Sequence, residues 1–288
     1  MNATIISGRV GYLPFYPQLV EAQCRLGQFH EAEALIEEQL GSGTAQPWPP
    51  LQIRSFKTLQ LAVQAYSGQW HQAASGLIAL ATNSVADAWD WQRGVTAALA
   101  AGETNTYASL CRLGRQRFAA NAEAELASAL FSGLILRPQV EDLAHTLPDL
   151  LHRVEEGKDY HWSAATLLFW NSQLAYRKGE YEEALRLLDA WGKSRDERPL
   201  NASVLHDLRA SPVPDFWRVM ILARLGRTEG ALKAYGDGTQ NLAASFPPSC
   251  DSIFVSLITF YASHALQQEA REVLRSQGIA VHDTEAKP

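Results

Sequence analysis

One short pattern, written four times, limits this 288-residue chain more than any other feature. The copies are Leu26-Gly27-Gln28-Phe29-His30-Glu31-Ala32, Ser67-Gly68-Gln69-Trp70-His71-Gln72-Ala73, Lys178-Gly179-Glu180-Tyr181-Glu182-Glu183-Ala184 and Leu225-Gly226-Arg227-Thr228-Glu229-Gly230-Ala231. Each holds a glycine, a polar residue, an aromatic or threonine, and an alanine five positions after the glycine. The glycines lie 41, 111 and 47 residues apart. Self-similarity at such periods marks a repeat architecture. The long gap has room for two more units whose signal is degraded.

The physics of one unit is readable. Before the glycine runs an apolar stripe of helical period, as in Tyr16, Leu19, Val20 or Leu168, Ala175, Tyr176. The glycine ends that helix by taking a left-handed conformation that a Cβ would penalise. A second stripe follows, as in Ala32, Leu35, Ile36, Leu40 or Ala184, Leu187, Leu188, Trp191. The small alanine lets the two helix axes approach. One hairpin cannot bury both of its faces, so neighbours must stack. The expected fold is all-α, a right-handed α-solenoid of stacked antiparallel helix hairpins.

The glycine-to-alanine spacing, with Ile36, Leu77, Leu188 and Tyr235 four residues after each alanine, resembles tetratricopeptide repeats. The early Trp, Leu-Gly pair and closing Pro of that family are mostly missing, and the spacings exceed its usual period. A narrower likeness runs through Trp91-Gln92-Arg93-Gly94, Ala101-Gly102-Glu103, Tyr107 to Arg112, Leu134 to Pro138 and Phe216 to Ala231. These stretches are similar to helical arms appended to bacterial serine/threonine protein kinases. The resemblance implies a regulatory, partner-binding arm.

Breakers divide the chain without shifting its composition enough to separate domains. A frayed segment is expected over 1–12, one repeat domain over 13–276 and a tail over 277–288. Gly236-Asp237-Gly238 reads as a turn, and with Pro247-Pro248 it sets off a last hairpin, Asp251 to His264 and Gln267 to Ser276. The outer side of that hairpin, with Gln267, Gln268, Glu269, Arg271 and Glu272, is expected to form a polar cap.

Composition narrows the function. Apolar residues at 47% and charged residues at 19% exclude wholesale disorder. A net charge of −6 argues against a general nucleic-acid binder. Three cysteines (Cys24, Cys111, Cys250) are too few and too scattered for a disulfide framework and suit a reducing cytoplasm. No apolar run is long enough to span a membrane.

Enzyme signatures fail in turn. Gly192-Lys193-Ser194 lacks the upstream glycine of a phosphate loop and reads as a helix stop with a basic end. His145 and His152 are two helical turns apart, too far for one metal ion. Glu37-Glu38, Glu155-Glu156 and Glu182-Glu183 read as solvated helix faces. No catalytic residue, metal site or cofactor is expected.

In the resembled family the position two before the glycine faces the concave groove. Here it holds Arg25, Tyr66, Arg177 and Arg224, and Gln173 stands one turn earlier in the third copy. The residues six before each glycine, Glu21, Ala62, Gln173 and Met220, lack the Asn of the family's carboxylate clamp. Guanidiniums along one side suit an acidic or carboxylate-bearing protein or peptide. The sequence thus points to a non-catalytic interaction scaffold. A helical-barrel enzyme with a central cavity and a self-assembling structural adaptor are the alternatives.

Overall fold

A computed structural model describes residues 16–42, 50–83, 86–118, 123–138, 142–157, 164–196, 211–244 and 253–281. Within them all regular structure is helical. The order is α1 (Tyr16–Arg25), α2 (Phe29–Ser42), α3 (Pro50–Tyr66), α4 (Trp70–Thr82), α5 (Ala88–Ala100), α6 (Thr104–Phe118) and α7 (Ala124–Leu134). A π-helical turn (Asp142–Thr146) then leads into α8 (Leu147–Glu156). There follow α9 (Ala164–Arg177), α10 (Tyr181–Asp196), α11 (Val213–Arg224), α12 (Thr228–Ala244) and α13 (Ile253–Ser276). The expected frayed segment 1–12, Cys250 and Pro247-Pro248 lie outside the described residues.

The repeated glycines do what their chemistry suits them for. At Gly179, φ is 84°, so the chain reverses where a side chain would strain it. The Gly179 amide donates to Tyr176 O at 2.9 Å and the Glu180 amide to Ala175 O at 2.9 Å, satisfying carbonyls that end α9. The same two bonds close the turns at Gly27, Gly68 and Gly226, and also at Gly102, inside the degraded gap. There Tyr107 replaces the alanine, which is why the copy is hard to see. In the four legible copies Ala32, Ala73, Ala184 and Ala231 are all 0% exposed. Hairpins form as α1–α2, α3–α4, α5–α6, α9–α10 and α11–α12, and α2 packs on α3, α4 on α5 and α10 on α11.

Three local expectations give way. Residues 253–276 form one helix, α13, and not a hairpin. Ala265 and Leu266 are good helix formers, and no glycine or proline separates His264 from Gln267. Gly236-Asp237-Gly238 lies inside α12. A Cβ at Gly238 would stand 3.0 Å from Asp215 Cβ and 3.1 Å from the Phe216 ring, so this glycine serves close packing on α11. Gly192-Lys193-Ser194 lies inside α10, which runs on to Asp196. At the far end Gly278 makes a glycine turn (φ 71°) and Ile279 is buried, so 278–279 belong to the packed body.

A single apolar core runs through the described helices. Its middle is Trp91 of α5, 0% exposed, whose indole N–H donates to Leu110 O at 2.6 Å. Gly114 of α6 and Gly133 of α7 make room for that ring. A Cβ at either would come within 2.4 and 2.7 Å of it, respectively. Trp170, Trp191 and Trp217 are buried in the same core.

Helix α13 stands apart from the pairs. It packs on α3, α5 and α11, and less on α12, so the last helix joins early and late parts of the chain. Leu257, Phe260, Tyr261, Ala262, Ser263, Ala265, Leu266, Ala270, Val273 and Leu274 are buried, while Gln268 and Glu272, one turn apart, are exposed, so α13 shows one polar stripe to solvent and packs with the rest of its circumference. No described helix is long and apolar enough to cross a membrane.

Candidate functional site

Of the groove positions inferred from sequence, Arg177 and Tyr66 meet α13. Arg177, the last residue of α9, is the centre. Its side chain is 10% exposed. The guanidinium grips the Glu269 carboxylate of α13 with two nitrogens: Nη2 donates to Oε2 at 2.8 Å, and Nη1 to Oε1. Nε donates to Ile135 O at 2.9 Å, and Nη2 also to Leu136 O. The guanidinium carbon lies 4.7 Å from the Trp217 ring centroid and 5.5 Å from that of Tyr176. Burial would lower the Arg177 pKa, yet the facing Glu269 carboxylate raises it above its ordinary value, so the guanidinium keeps its charge. Planarity, five donors and an aromatic floor are what arginine offers and lysine does not.

Tyr66, near the end of α3, is half-buried and meets Phe260 of α13 edge-on, with centroids 5.8 Å apart and planes at 88°. The next residue of α13, Tyr261, donates to Trp70 O at 2.8 Å. His264 lies parallel to the Trp70 ring at 5.7 Å and edge-on to Phe260 at 4.6 Å. Burial drives the His264 pKa down to about 4. Farther along, Gln268 Nε2 donates to Ala100 O at 3.0 Å, and Arg271 Nε to the Tyr235 hydroxyl at 3.2 Å.

The other groove residues scatter. Gln173 is buried in α9. Arg224 is exposed at the end of α11 and reaches the Tyr176 hydroxyl. Burial and Glu269 raise the pKa of that phenol, while Arg177 and Arg224 oppose the shift. Arg25 closes α1, and its side chain is outside the described residues. Sequence reasoning singled out Arg177 and Tyr66 and missed the helix that packs against them. Of Gln267, Gln268, Glu269, Arg271 and Glu272, expected together on an outer polar side, Gln268 and Glu272 are exposed, whereas Glu269 is the carboxylate that Arg177 holds. The signal was present in principle, since residues 257–274 are apolar on more than one face.

Other polar clusters tie helices together. Arg54 of α3 bridges Asp87 at 2.6 Å and Asp90 at 3.1 Å, and Arg93 adds a 3.2 Å contact to Asp90. Asp87 caps α5 by accepting from the Asp90 amide at 2.8 Å. Burial and the Asp87 charge raise the Asp90 pKa against the pull of Arg54 and Arg93. Burial pushes the Cys111 thiol up to about 12, so it is no nucleophile at neutral pH. A cavity of 260 Å³ between α10 and α11 is edged by Trp191, Asp215, Arg218 and Asn241. Its polar groups already pair, Arg218 with Asp189 at 2.7 Å and Asn241 with Asp215 at 2.8 Å. Among the described residues no three His, Cys, Asp or Glu side chains are placed to hold a metal ion.

No family model, curated protein or solved structure matches this chain.

Proposed function

We propose that the chain is a non-catalytic interaction module: a right-handed, tetratricopeptide-like stack of hairpins whose inner face is a receptor for a helix. The partner segment is amphipathic and carries a carboxylate. The observation that carries this reading is the Arg177–Glu269 pair. A guanidinium at a groove position, floored by Trp217, grips the carboxylate of a helix 92 residues away in sequence. In this state α13 itself occupies the receptor. Tyr66 against Phe260 supports the same face. Service as the regulatory arm of a bacterial signalling kinase system is consistent with this role. Cys24 and Cys111, both buried and outside any disulfide, fit a reducing cytoplasmic setting. The enzyme alternative needs several acidic or histidine groups converging on a cavity, and the charged groups around α13 are instead consumed in pairs.

Magnitudes decide how the receptor could be filled. Burying Leu257, Phe260, Tyr261, Leu266, Val273 and Leu274 stabilises by roughly 1.5–3 kcal/mol each. Their sum, of order 10 kcal/mol, matches the whole net stability of an ordinary domain. Release of α13 into water is therefore as costly as unfolding, and only an equivalent helix can replace it.

A labelled peptide of residues 253–276 tests the reading. Tethered α13 competes at an effective concentration of about 1 mM. Glu269→Ala in the chain leaves Arg177 buried without its carboxylate, a cost of about 3–4 kcal/mol, or a factor of roughly 10² to 10³. After equilibration, the wild-type-sequence peptide should half-fill the Glu269→Ala chain at about 1–10 µM by fluorescence anisotropy. The same peptide carrying Glu269→Ala should fail at these concentrations. Equal binding of both peptides, or of neither, removes the receptor.

A further inference from the structure

We propose that a trough between α4 and α6 binds a small organic acid, its acid group on Arg112 and its apolar body on Leu110 and Leu113. The trough has a volume of 310 Å³, at the small end for ligand sites. Thr82, at the end of α4, stands on one side. On the other, α6 supplies Thr106, Ser109, Arg112 and Gln116, whose three- and four-residue steps keep them along one helix face. The floor is apolar, since Leu110 is 2% exposed and Leu113 is half-buried against the core.

Charge sets this surface apart. The chain carries −6 overall, yet neither 70–83 nor 104–118 contains an Asp or Glu. Three arginines lie on α6. Asp142 holds Arg115, and Arg117 Nη1 donates to Asn83 O at 2.8 Å, just past the end of α4. Elsewhere Arg54, Arg153, Arg177, Arg186, Arg218 and Arg227 all meet carboxylates. Arg112 has none among the described residues. Its Nη2 donates to Ser109 Oγ at 3.0 Å, which lays the guanidinium back along α6 and leaves four of its five N–H donors open. Ser109 accepts in that bond and keeps its own proton to donate. Among the described residues, Thr106 and Gln116 spend no side-chain donor on the protein. The cavity between α10 and α11 is the opposite case, with its charges already paired.

The ligand class follows from these two halves. A guanidinium with open donors beside hydroxyls takes a carboxylate or a phosphate monoester with paired hydrogen bonds. A bare anion would leave Leu110 and Leu113 uncovered, and a neutral body would leave the donors unused. A molecule with both parts, small enough for the trough, uses each. The trough shares no residue with Arg177 or α13, so it stands or falls apart from the helix receptor.

Phenyl phosphate, titrated into the isotope-labelled full chain and followed by NMR, tests the site. The amides of 106–116 and the Arg112 Nε–H should shift and saturate, with a dissociation constant of order 1 mM for so small a ligand. Benzoate should move the same signals, and the tighter of the two names the acid group. Benzyl alcohol and inorganic phosphate, each lacking one half, should bind at least tenfold more weakly. Arg112→Gln should weaken phenyl phosphate at least tenfold. Ser109→Glu gives Arg112 a carboxylate three residues away and should abolish the shifts. Both positions are exposed, and circular dichroism checks the fold of each variant. If Arg112→Gln does not fold, Ser109→Glu makes the same comparison. No saturable shift in the wild-type chain, equal affinity for benzyl alcohol or inorganic phosphate, or affinity unchanged in the folded variants overturns the site.

Discussion

The ends of α9 and α7 solve the same problem in different ways. Each must satisfy carbonyls that the helix itself leaves open. At α9 the answer is local: Gly179 turns the chain, and its own amide and that of Glu180 fold back onto Tyr176 O and Ala175 O. At α7 no glycine turn follows, and distant side chains do the work. The Tyr107 hydroxyl, 26 and 27 residues away, lies 3.1 Å from Gly133 O and 3.3 Å from Leu134 O. It also accepts from the Arg137 amide at 3.0 Å. Arg177, some 41 residues on, takes Ile135 O and Leu136 O. A cap built from neighbours holds one turn, whereas a cap borrowed from afar also holds the molecule together.

The largest effect that could break this contrast is expected at the borrowed cap. Arg177→Met removes the bonds to two carbonyls and strands the Glu269 carboxylate. It should lower unfolding free energy by about 3–5 kcal/mol in urea titration. Glu269→Ala should cost a similar amount, and the double substitution clearly less than the sum of the two. Additive losses would mean that the pair does not act as a unit.

Acid offers a second probe of the far contacts. His264 is held near pKa 4 in the fold against about 6.5 when unfolded, so between these values the unfolded chain binds more protons. Stability should be complete above about pH 6.5 and fall as pH drops toward 4, by up to about 3 kcal/mol. The Trp70 face offsets part of this by attracting the imidazolium. His264→Leu should flatten that limb of a stability–pH curve measured by denaturant titration. A wild-type curve with no His264-dependent slope in this window would contradict the buried, neutral seat.

The smallest effect sharpens the local side. Gly179→Ala forces a Cβ into left-handed backbone and should cost about 1–2 kcal/mol. Hydrogen exchange should rise mainly in α9 and α10 and leave α7 protected. Equal loosening at α7 would erase the distinction between the two caps.

This difference also explains what the sequence discloses. Turns built from Gly27, Gly68, Gly179 and Gly226 are legible because donor, acceptor and conformational demand lie within a few residues. The Gly102 turn is the same device, hidden because Tyr107 stands where an alanine was sought. That tyrosine is large because its hydroxyl caps α7, a requirement no local window contains. Trp91 shows the same limit: Gly114 and Gly133 lower helix propensity, and their reason is a ring on another helix. For the candidate site, the resemblance to tetratricopeptide repeats pointed to Arg25, Tyr66, Gln173, Arg177 and Arg224 as one face, and of these Tyr66 and Arg177 contact α13. Glu269 and the unbroken course of α13 stayed hidden because the counter-ion and the seat lie far away along the chain.

The late position of α13 has a consequence for how the polypeptide comes into being. The glycine hairpins can form as they emerge, from contacts within a few tens of residues. The seat at Trp70, Ala100 and Arg177 must wait for residues 261–269 to be synthesised. Contacts separated by up to 191 positions close slowly. During translation the apolar surfaces that α13 covers therefore stay open to water until the last helix emerges, and that interval is when chaperones would first meet them.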